Sequence, residues 1–255
     1  MSTNQRSSVI PFQQMKRGCD QCSSAQQCLC KGFDAETLRQ FESAIKQVRL
    51  ITRGDHLFSA GERFRGLYAV RSGSVKVSTV TDSGEEQVVG FYLPGDIIGL
   101  EAIDRSVHDG TAMALETSSI CELSLTRLEQ MGCQIAALQQ QMNRMYAHEI
   151  AKNHAMFRML GRKNAEQRLA SFLTNLSERL AERGLSAYEF NLSMSRSDIA
   201  NYLGLALETV SRLLARFQEE GLIAVNRRHI NLLNLSELKV LAGEVVPDKQ
   251  DRCCH

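Results

Sequence analysis

The chain has 255 residues, of which 43% are hydrophobic, enough for a substantial core. Its 30 basic and 29 acidic residues leave a formal net charge of +1, so bulk charge points to no nucleic acid, membrane surface or acidic substrate. No apolar stretch approaches the roughly 18–20 residues that span a bilayer, so no membrane partner is expected. Met1 to Arg17 lacks the apolar core and small-residue cleavage site of a secretory signal. The expected compartment is a reducing cytoplasm, where the eight cysteines read as metal ligands or redox thiols before disulfides.

Residues 1–32 form a polar, cysteine-rich segment. Phe33 to Val48 reads as a helix, with Phe33, Leu38, Phe41 and Ile45 on one face and Asp34 as N-cap. From Leu50 to about Leu125 short alternating runs lie between glycines, as in Val75-Lys76-Val77-Ser78-Thr79-Val80 and Gln87-Val88-Val89-Gly90-Phe91. That spacing predicts an antiparallel β barrel or roll, with Asp82-Ser83-Gly84 as its clearest hairpin turn.

After Leu125 the period becomes helical. Ile135, Leu138, Met142, Tyr146, Ile150, Asn153, Phe157 and Leu160 make one stripe. Packing within the chain would need only two or three turns, so the length of the stripe predicts a homodimer seam. Asn153 is its polar position, and such a residue sets register at a cost in stability.

The remainder, 161–245, reads as a second, mainly helical domain, followed by a tail at 246–255. Ser195 and Asp198 are spaced as a capping box, Ile199, Ala200 and Leu203 supply a buried side, and Gly204 permits a tight turn. A second helix runs from about Leu207 to Glu219, with Val210, Leu213, Leu214 and Phe217 inward. Glu208, Ser211 and Arg212 share its opposite face. This is a helix-turn-helix reader of double-stranded DNA, whose second helix enters the major groove. Arginine matches guanine O6/N7, and glutamate accepts from cytosine N4. Arg227 and Arg228, between Leu222–Val225 and His229–Leu233, suit phosphate contact at the tip of a wing hairpin. Arg196, at the start of the first helix, joins the same candidate DNA-binding set. Ala206 is a poor N-cap for the reading helix.

Cys19, Cys22, Cys28 and Cys30 fall close together, with Cys121 and Cys133 downstream and Cys253 and Cys254 near the end. The two-residue gap in Cys19-Asp-Gln-Cys22 brings two thiolates to one centre, and Cys28 can close a third side. Thiolates select zinc, copper(I) or iron–sulfur clusters. Spacing leaves two arrangements open: a local set completed by Cys30, or one completed by Cys121 on a β strand. Cys133 is expected as a buried apolar residue on the long helix, and Cys253 and Cys254 as part of a frayed tail.

Three motifs together resemble the oxygen-responsive FNR regulators (fumarate and nitrate reduction) within the catabolite-activator superfamily. They are Cys19-x2-Cys22-x5-Cys28 with distant Cys121, Gly90-Phe91-Tyr92-Leu93-Pro94-Gly95-Asp96, and Leu207-Glu208-Thr209-Val210-Ser211-Arg212. The resemblance implies an α+β chain in five parts: a cluster-binding segment at 1–32, a β-roll sensor of the cyclic-nucleotide-binding type at 33–131, a dimerisation helix at 132–160, a winged helix-turn-helix at 161–245 and the tail. It implies a [4Fe–4S] cluster on Cys19, Cys22, Cys28 and Cys121, converted by oxygen to [2Fe–2S] and then lost. It also implies that the loaded form dimerises and binds an inverted repeat resembling TTGAT-N4-ATCAA. Glu208, Ser211 and Arg212 match base-reading positions, and Thr81, Gly84 and Glu85 match a surface that touches RNA polymerase. The superfamily's cyclic-nucleotide branch carries an Arg-Ser pair near His108-Asp109-Gly110-Thr111. No arginine stands there, so no cyclic nucleotide is expected.

Two other readings use the same residues. A metalloenzyme or electron carrier would need a nucleophile paired with a general base, and no such motif is present; His56, His108, His148, His154, His229 and His255 are scattered. A zinc- or thiol-redox-responsive regulator would keep the same DNA reader.

The FNR pattern commonly carries an aspartate where Asn153 stands. Two facing aspartates in a seam repel; neutral Asn153 removes that repulsion, so the dimer depends less on the cluster. Light scattering of iron-free protein at micromolar concentration checks this. The native chain is expected to show more dimer than Asn153→Asp, and equal monomer fractions would sink the idea.

Overall fold

The computed structural model describes residues 18–244, so Cys253, Cys254 and the tail lie outside the described residues. Asp34 caps α1 (Ala35–Glu42), accepting from the Thr37 N–H at 2.7 Å. The helix expected over Phe33–Val48 stops at Glu42, and Ile45 opens β1 (Ile45–Ile51). Its apolar spacing suits both periods, and pairing with a distant strand decides in favour of the strand.

The strands that follow are β2 (His56–Phe58), β3 (Leu67–Ser72), β4 (Val75–Val80), β5 (Glu86–Tyr92) and β6 (Ile97–Ile98). A short α2 (Ala102–Arg105) leads to β7 (Thr111–Ala114) and β8 (Ser118–Leu123). They form two antiparallel sheets, ordered β1-β8-β3-β6 and β2-β7-β4-β5. The expected roll is therefore present. Strand alternation divides the first sheet by face. Tyr68, Val70 and Ile120 point into the roll with Phe58, Val75 and Val77. Leu67, Ala69 and Leu123 point outward, with Cys121 partly buried beside them. The Asp82-Ser83-Gly84 turn closes the β4–β5 hairpin, with Gly84 at φ 83° and its N–H on Thr81 O at 2.8 Å.

After α3 (Leu125–Gly132) comes α4 (Ala136–Arg162), 27 residues long. Cys133 is an exposed residue at the C-cap of α3, not a buried one on the long helix. The turn between the two helices falls just where the periodicity ran on. The α4 stripe is split. Leu138 and Met142 are buried in the chain's own core, with Ile135 and Tyr146 partly buried against it. Ile150 and Phe157 are 57% and 73% exposed, Asn153 is exposed between them, and Leu160 leans on the next domain.

That domain comprises α5 (Ala165–Glu182), β9 (Glu189–Asn191), α6 (Arg196–Leu203), α7 (Leu207–Glu219), β10 (Ile223–Asn226), β11 (His229–Leu232) and α8 (Leu235–Leu241). Its sheet runs β10-β11-β9. Its core also takes in Val88, Phe91 and Leu93 from the roll, so the two domains share one apolar cluster. Among the described residues no helix is long and apolar enough to cross a membrane.

Candidate metal centre and nucleic-acid interface

The cysteine loop is a run of tight turns. Cys22 N–H donates to Cys19 O, Ala25 to Cys22, Cys28 to Ala25, and Lys31 to Cys28, at 3.1–3.3 Å. Four tethers dock this loop on the outer face of the first sheet. Cys19 N–H donates to Glu42 Oε1 at 2.6 Å, and Ser24 Oγ to Arg71 O at 3.2 Å. Gln141 Nε2 on α4 donates to Lys31 O at 2.9 Å, and Leu29 and Cys30 bury themselves beside Leu138 and Met142.

Five thiols converge there. Cys19 and Cys30 are buried; Cys22, Cys28 and Cys121 are half-buried. The Cys30 thiol is pushed up by hydrogen bonding to Cys19 and then to Cys28. Its hydrogen bond in turn holds Cys28 below the usual thiol range, against the effect of burial. Cys121 is pushed up to about 12, first by burial and then by the charges of Cys28, Cys19 and Cys22. The strand thiol thus lies within electrostatic reach of the loop thiols. Among the described residues no three His, Cys, Asp or Glu side chains are arranged to hold a metal ion. Cys30 Sγ donates to Ala25 O at 3.8 Å and Cys22 Sγ lies 3.2 Å from Ser24 Oγ, so the thiols are neighbours and not a preset cage.

The reading elements take the form that the sequence predicts. Ser195 Oγ accepts from Asp198 N–H at 3.0 Å, and Asp198 Oδ2 accepts from Ser195 N–H at 2.9 Å, closing the capping box of α6. Gly204 turns the chain at φ 62°. Val210, Leu214 and Phe217 anchor α7. Glu208 and Arg212 are exposed and Ser211 is half-buried. Ala206 gives α7 no side-chain cap, and Thr209 N–H turns back to Ala206 O at 3.1 Å. Arg227 sits at φ 57° in the wing turn with Arg228 beside it. Both arginines and Arg196 are exposed. Arg216, by contrast, is engaged by Glu220 and Glu166. Thr81, Gly84 and Glu85 lie exposed at the β4–β5 tip.

In the roll interior, His108 is buried and stacks on Phe58 at 3.6 Å between ring centroids, with Nδ1 2.9 Å from Glu101 Oε1.

One set of contacts has no sequence signature. Lys76, 8% exposed, holds Asp198 at 2.7 Å and Glu86 at 3.1 Å. Asn201 on α6 accepts from Val88 N–H at 2.5 Å and donates to Glu86 O at 2.6 Å. Ser74 Oγ meets Ser193 Oγ at 2.7 Å. The first reader helix is thereby moored to the sensor roll. In sequence Lys76 reads as a solvent-facing strand position, because its partner is 122 residues away.

Burial alone would raise Asp198 and lower Lys76; their mutual contact, with Ser195 on one side and Glu86 on the other, outweighs it. Asp198 is held below the usual carboxylate range, so its contribution is present above its unfolded value and fades as pH falls through the folded one. Lys76→Met is expected to cost about 2 kcal/mol at about pH 7. The difference should be smaller in acid, at about pH 3, because Asp198 loses its charge as pH falls through its lowered folded value. Urea unfolding of both chains at the two pH values checks it; an equal cost at both would contradict the pairing.

A Crp-like helix-turn-helix domain model matches residues 167–241, and a cyclic nucleotide-binding domain model matches residues 48–132. The chain is 44% identical over 225 residues to the fumarate and nitrate reduction regulatory protein of Salmonella typhimurium, covering 88% of this chain and 90% of that protein. The same figures hold for the protein of that name from Escherichia coli. Among solved structures it is similar to FixK2 from Bradyrhizobium japonicum, at 30% identity and a TM-score of 0.70, over 78% of this chain and 98% of that one. A CooA mutant from Carboxydothermus hydrogenoformans matches at 20% identity and a TM-score of 0.64, over 82% and 90% of the two chains, which speaks for the fold alone.

Proposed function

Since the chain belongs to the fumarate and nitrate reduction regulator family of Crp-like transcription regulators, we propose that it senses oxygen through a cysteine-held iron–sulfur cluster and controls genes of anaerobic metabolism. It is a DNA-binding regulator and not an enzyme. The observation that carries the sensing proposal is the packing of Cys19, Cys28 and Cys30 of the loop in one apolar cluster with Cys121 of β8. Packed thiolates repel one another, and a cationic centre relieves that repulsion. The donor set, soft sulfur from both a loop and a strand, fits a [4Fe–4S] cluster on Cys19, Cys22, Cys28 and Cys121. When bound, such a group would supply oxygen-labile redox chemistry at those four thiols.

The residues of the chain carry the signal onward. The loop shares a cluster with Leu138 and Met142, so its state bears on the setting of α4. Those two side chains are committed to the chain's own core. The homodimer seam therefore rests on Ile150, Asn153 and Phe157, flanked by Tyr146 and Leu160. A palindromic site needs two α7 helices about one DNA turn apart, so a monomer forfeits half the contacts. Arg212, Glu208 and Ser211 would read the bases of the TTGAT-N4-ATCAA-like site, while Arg227, Arg228 and Arg196 meet phosphates. The exposed Thr81, Gly84 and Glu85 tip is available to RNA polymerase. A cyclic nucleotide is not part of this reading, because the segment at 108–111 lacks an arginine.

A zinc- or thiol-responsive centre is favoured by one observation, the packing of buried Cys30 in one apolar cluster with Cys19 and Cys28. The two readings part on the fourth ligand. Under anaerobic expression Cys121→Ser is expected to lose bound iron and reporter activation, while Cys30→Ser retains both. The opposite result would move the fourth ligand to Cys30.

A further inference from the structure

The segment from Gly90 to Asp96 has so far no part in DNA reading or in holding the cysteines. Its last residues lie between three parts of the chain. Gly95, buried at φ 96°, bears on the cysteine loop: a β-carbon there would stand 2.4 Å from Gln27 Cβ and 3.0 Å from its carbonyl carbon. The Gln27 side chain continues past the turn and donates to Glu182 O at the end of α5, at 2.6 Å. From the other side α5 grips the same turn. Arg179 meets Asp96 Oδ2 at 2.5 Å and Phe91 O at 2.9 Å. Arg183 meets Asp96 Oδ1 at 2.7 Å and Pro94 O at 2.8 Å. Asp96 is itself fixed by accepting from Leu93 N–H at 2.7 Å. On the third side, Lys152 of α4 lies over the Tyr92 ring at 4.3 Å.

We propose that the Pro94-Gly95-Asp96 turn is a joint through which the cysteine loop positions the DNA-reading domain within one protomer, independently of the dimer seam. Asp96 and Gln27 are its positioning residues. The side chain of Arg183 is 7% exposed and those of Arg179 and Asp96 are each 20% exposed, so their charge-assisted bonds are shielded and directional. Burial would raise the Asp96 carboxyl, yet Arg179, Arg183 and Lys152 hold it below its usual range. A loop that shifts loses the Gly95 contact and the Glu182 tether together, which loosens the end of α5. The two α7 helices of a dimer must match one DNA turn, so a small change in domain setting would cost a half-site. The identity of the trigger rests on the cluster reading; the joint itself does not.

Amide hydrogen exchange of the full chain, read by mass spectrometry with iron measured on every sample, tests the joint. Asp96→Asn is expected to speed exchange roughly tenfold in both residues 178–184 and the cysteine loop at 24–31. Gln27→Ala is expected to speed residues 178–184 by roughly threefold, leaving residues 169–174 at the parental rate. The same increase in an Ile150→Glu background, whose seam is broken, places the effect within one protomer. If Asp96→Asn does not fold, Gln27→Ala carries the test alone. The joint is overturned if Gln27→Ala leaves residues 178–184 unchanged, or if Asp96→Asn frees α5 and leaves the loop at the parental rate. Coupled exchange in a chain that holds no iron supports the joint and sinks the cluster reading. Uncoupled exchange in an iron-loaded chain does the reverse.

Discussion

Leu29 and Cys30 share one apolar cluster with Leu138 and Met142, which seats the cysteine loop against the long helix. It places the cysteine loop between the outer face of the first sheet and the first half of α4. Close-packed interiors do not deform continuously, so a change in the loop is felt by the helix it touches. The same packing divides the work of α4. The half beside the loop is filled from within the chain, and the half that carries Ile150 and Phe157 is left bare. A ligand that orders the loop would therefore act on the seam through the helix, by favouring one arrangement over another.

The DNA reader is not a free domain on a hinge. Lys76 and Asn201 moor α6 to β4 and β5, Ser74 meets Ser193 just before α6, and Asp96 grips α5. Asp198 belongs to both systems: it caps the first reader helix and receives the buried Lys76 ammonium. Helix start and domain docking therefore rest on one carboxylate. The exposed side chains of α7 and the wing remain open to DNA.

What the sequence made legible was what is local. The α6 capping box, the Gly204 turn, the extent of α7 and the wing arginines all follow from neighbours within a few residues. The roll was legible from its alternation and its glycine turns. Phe33–Val48 misled because Ile45 and Val48 fit a helical period, while a strand far along the chain claims them. Cys133 misled because an unbroken period hid the turn between α3 and α4. The Leu138–Phe157 stripe read as a single surface, since periodicity says which face is apolar and not what covers it. The contacts of Lys76 with Asp198, Asn201 with Val88, and Asp96 with Arg179 and Arg183 were not legible, because each joins residues more than 80 positions apart. Of the site, the cysteine spacing was plain, but the choice between Cys30 and Cys121 was not, and both thiols stand beside Cys28 in the fold.

If a thiol-held iron–sulfur centre governs DNA binding, affinity must follow iron content. The native chain, purified without oxygen, can be titrated onto an inverted-repeat DNA while iron and sulfide are counted, before and during exposure to air. We expect about four irons and four sulfides per chain at the start, with affinity falling as they are lost. A colourless chain containing zinc, or one whose affinity is the same with and without iron, would contradict the claim.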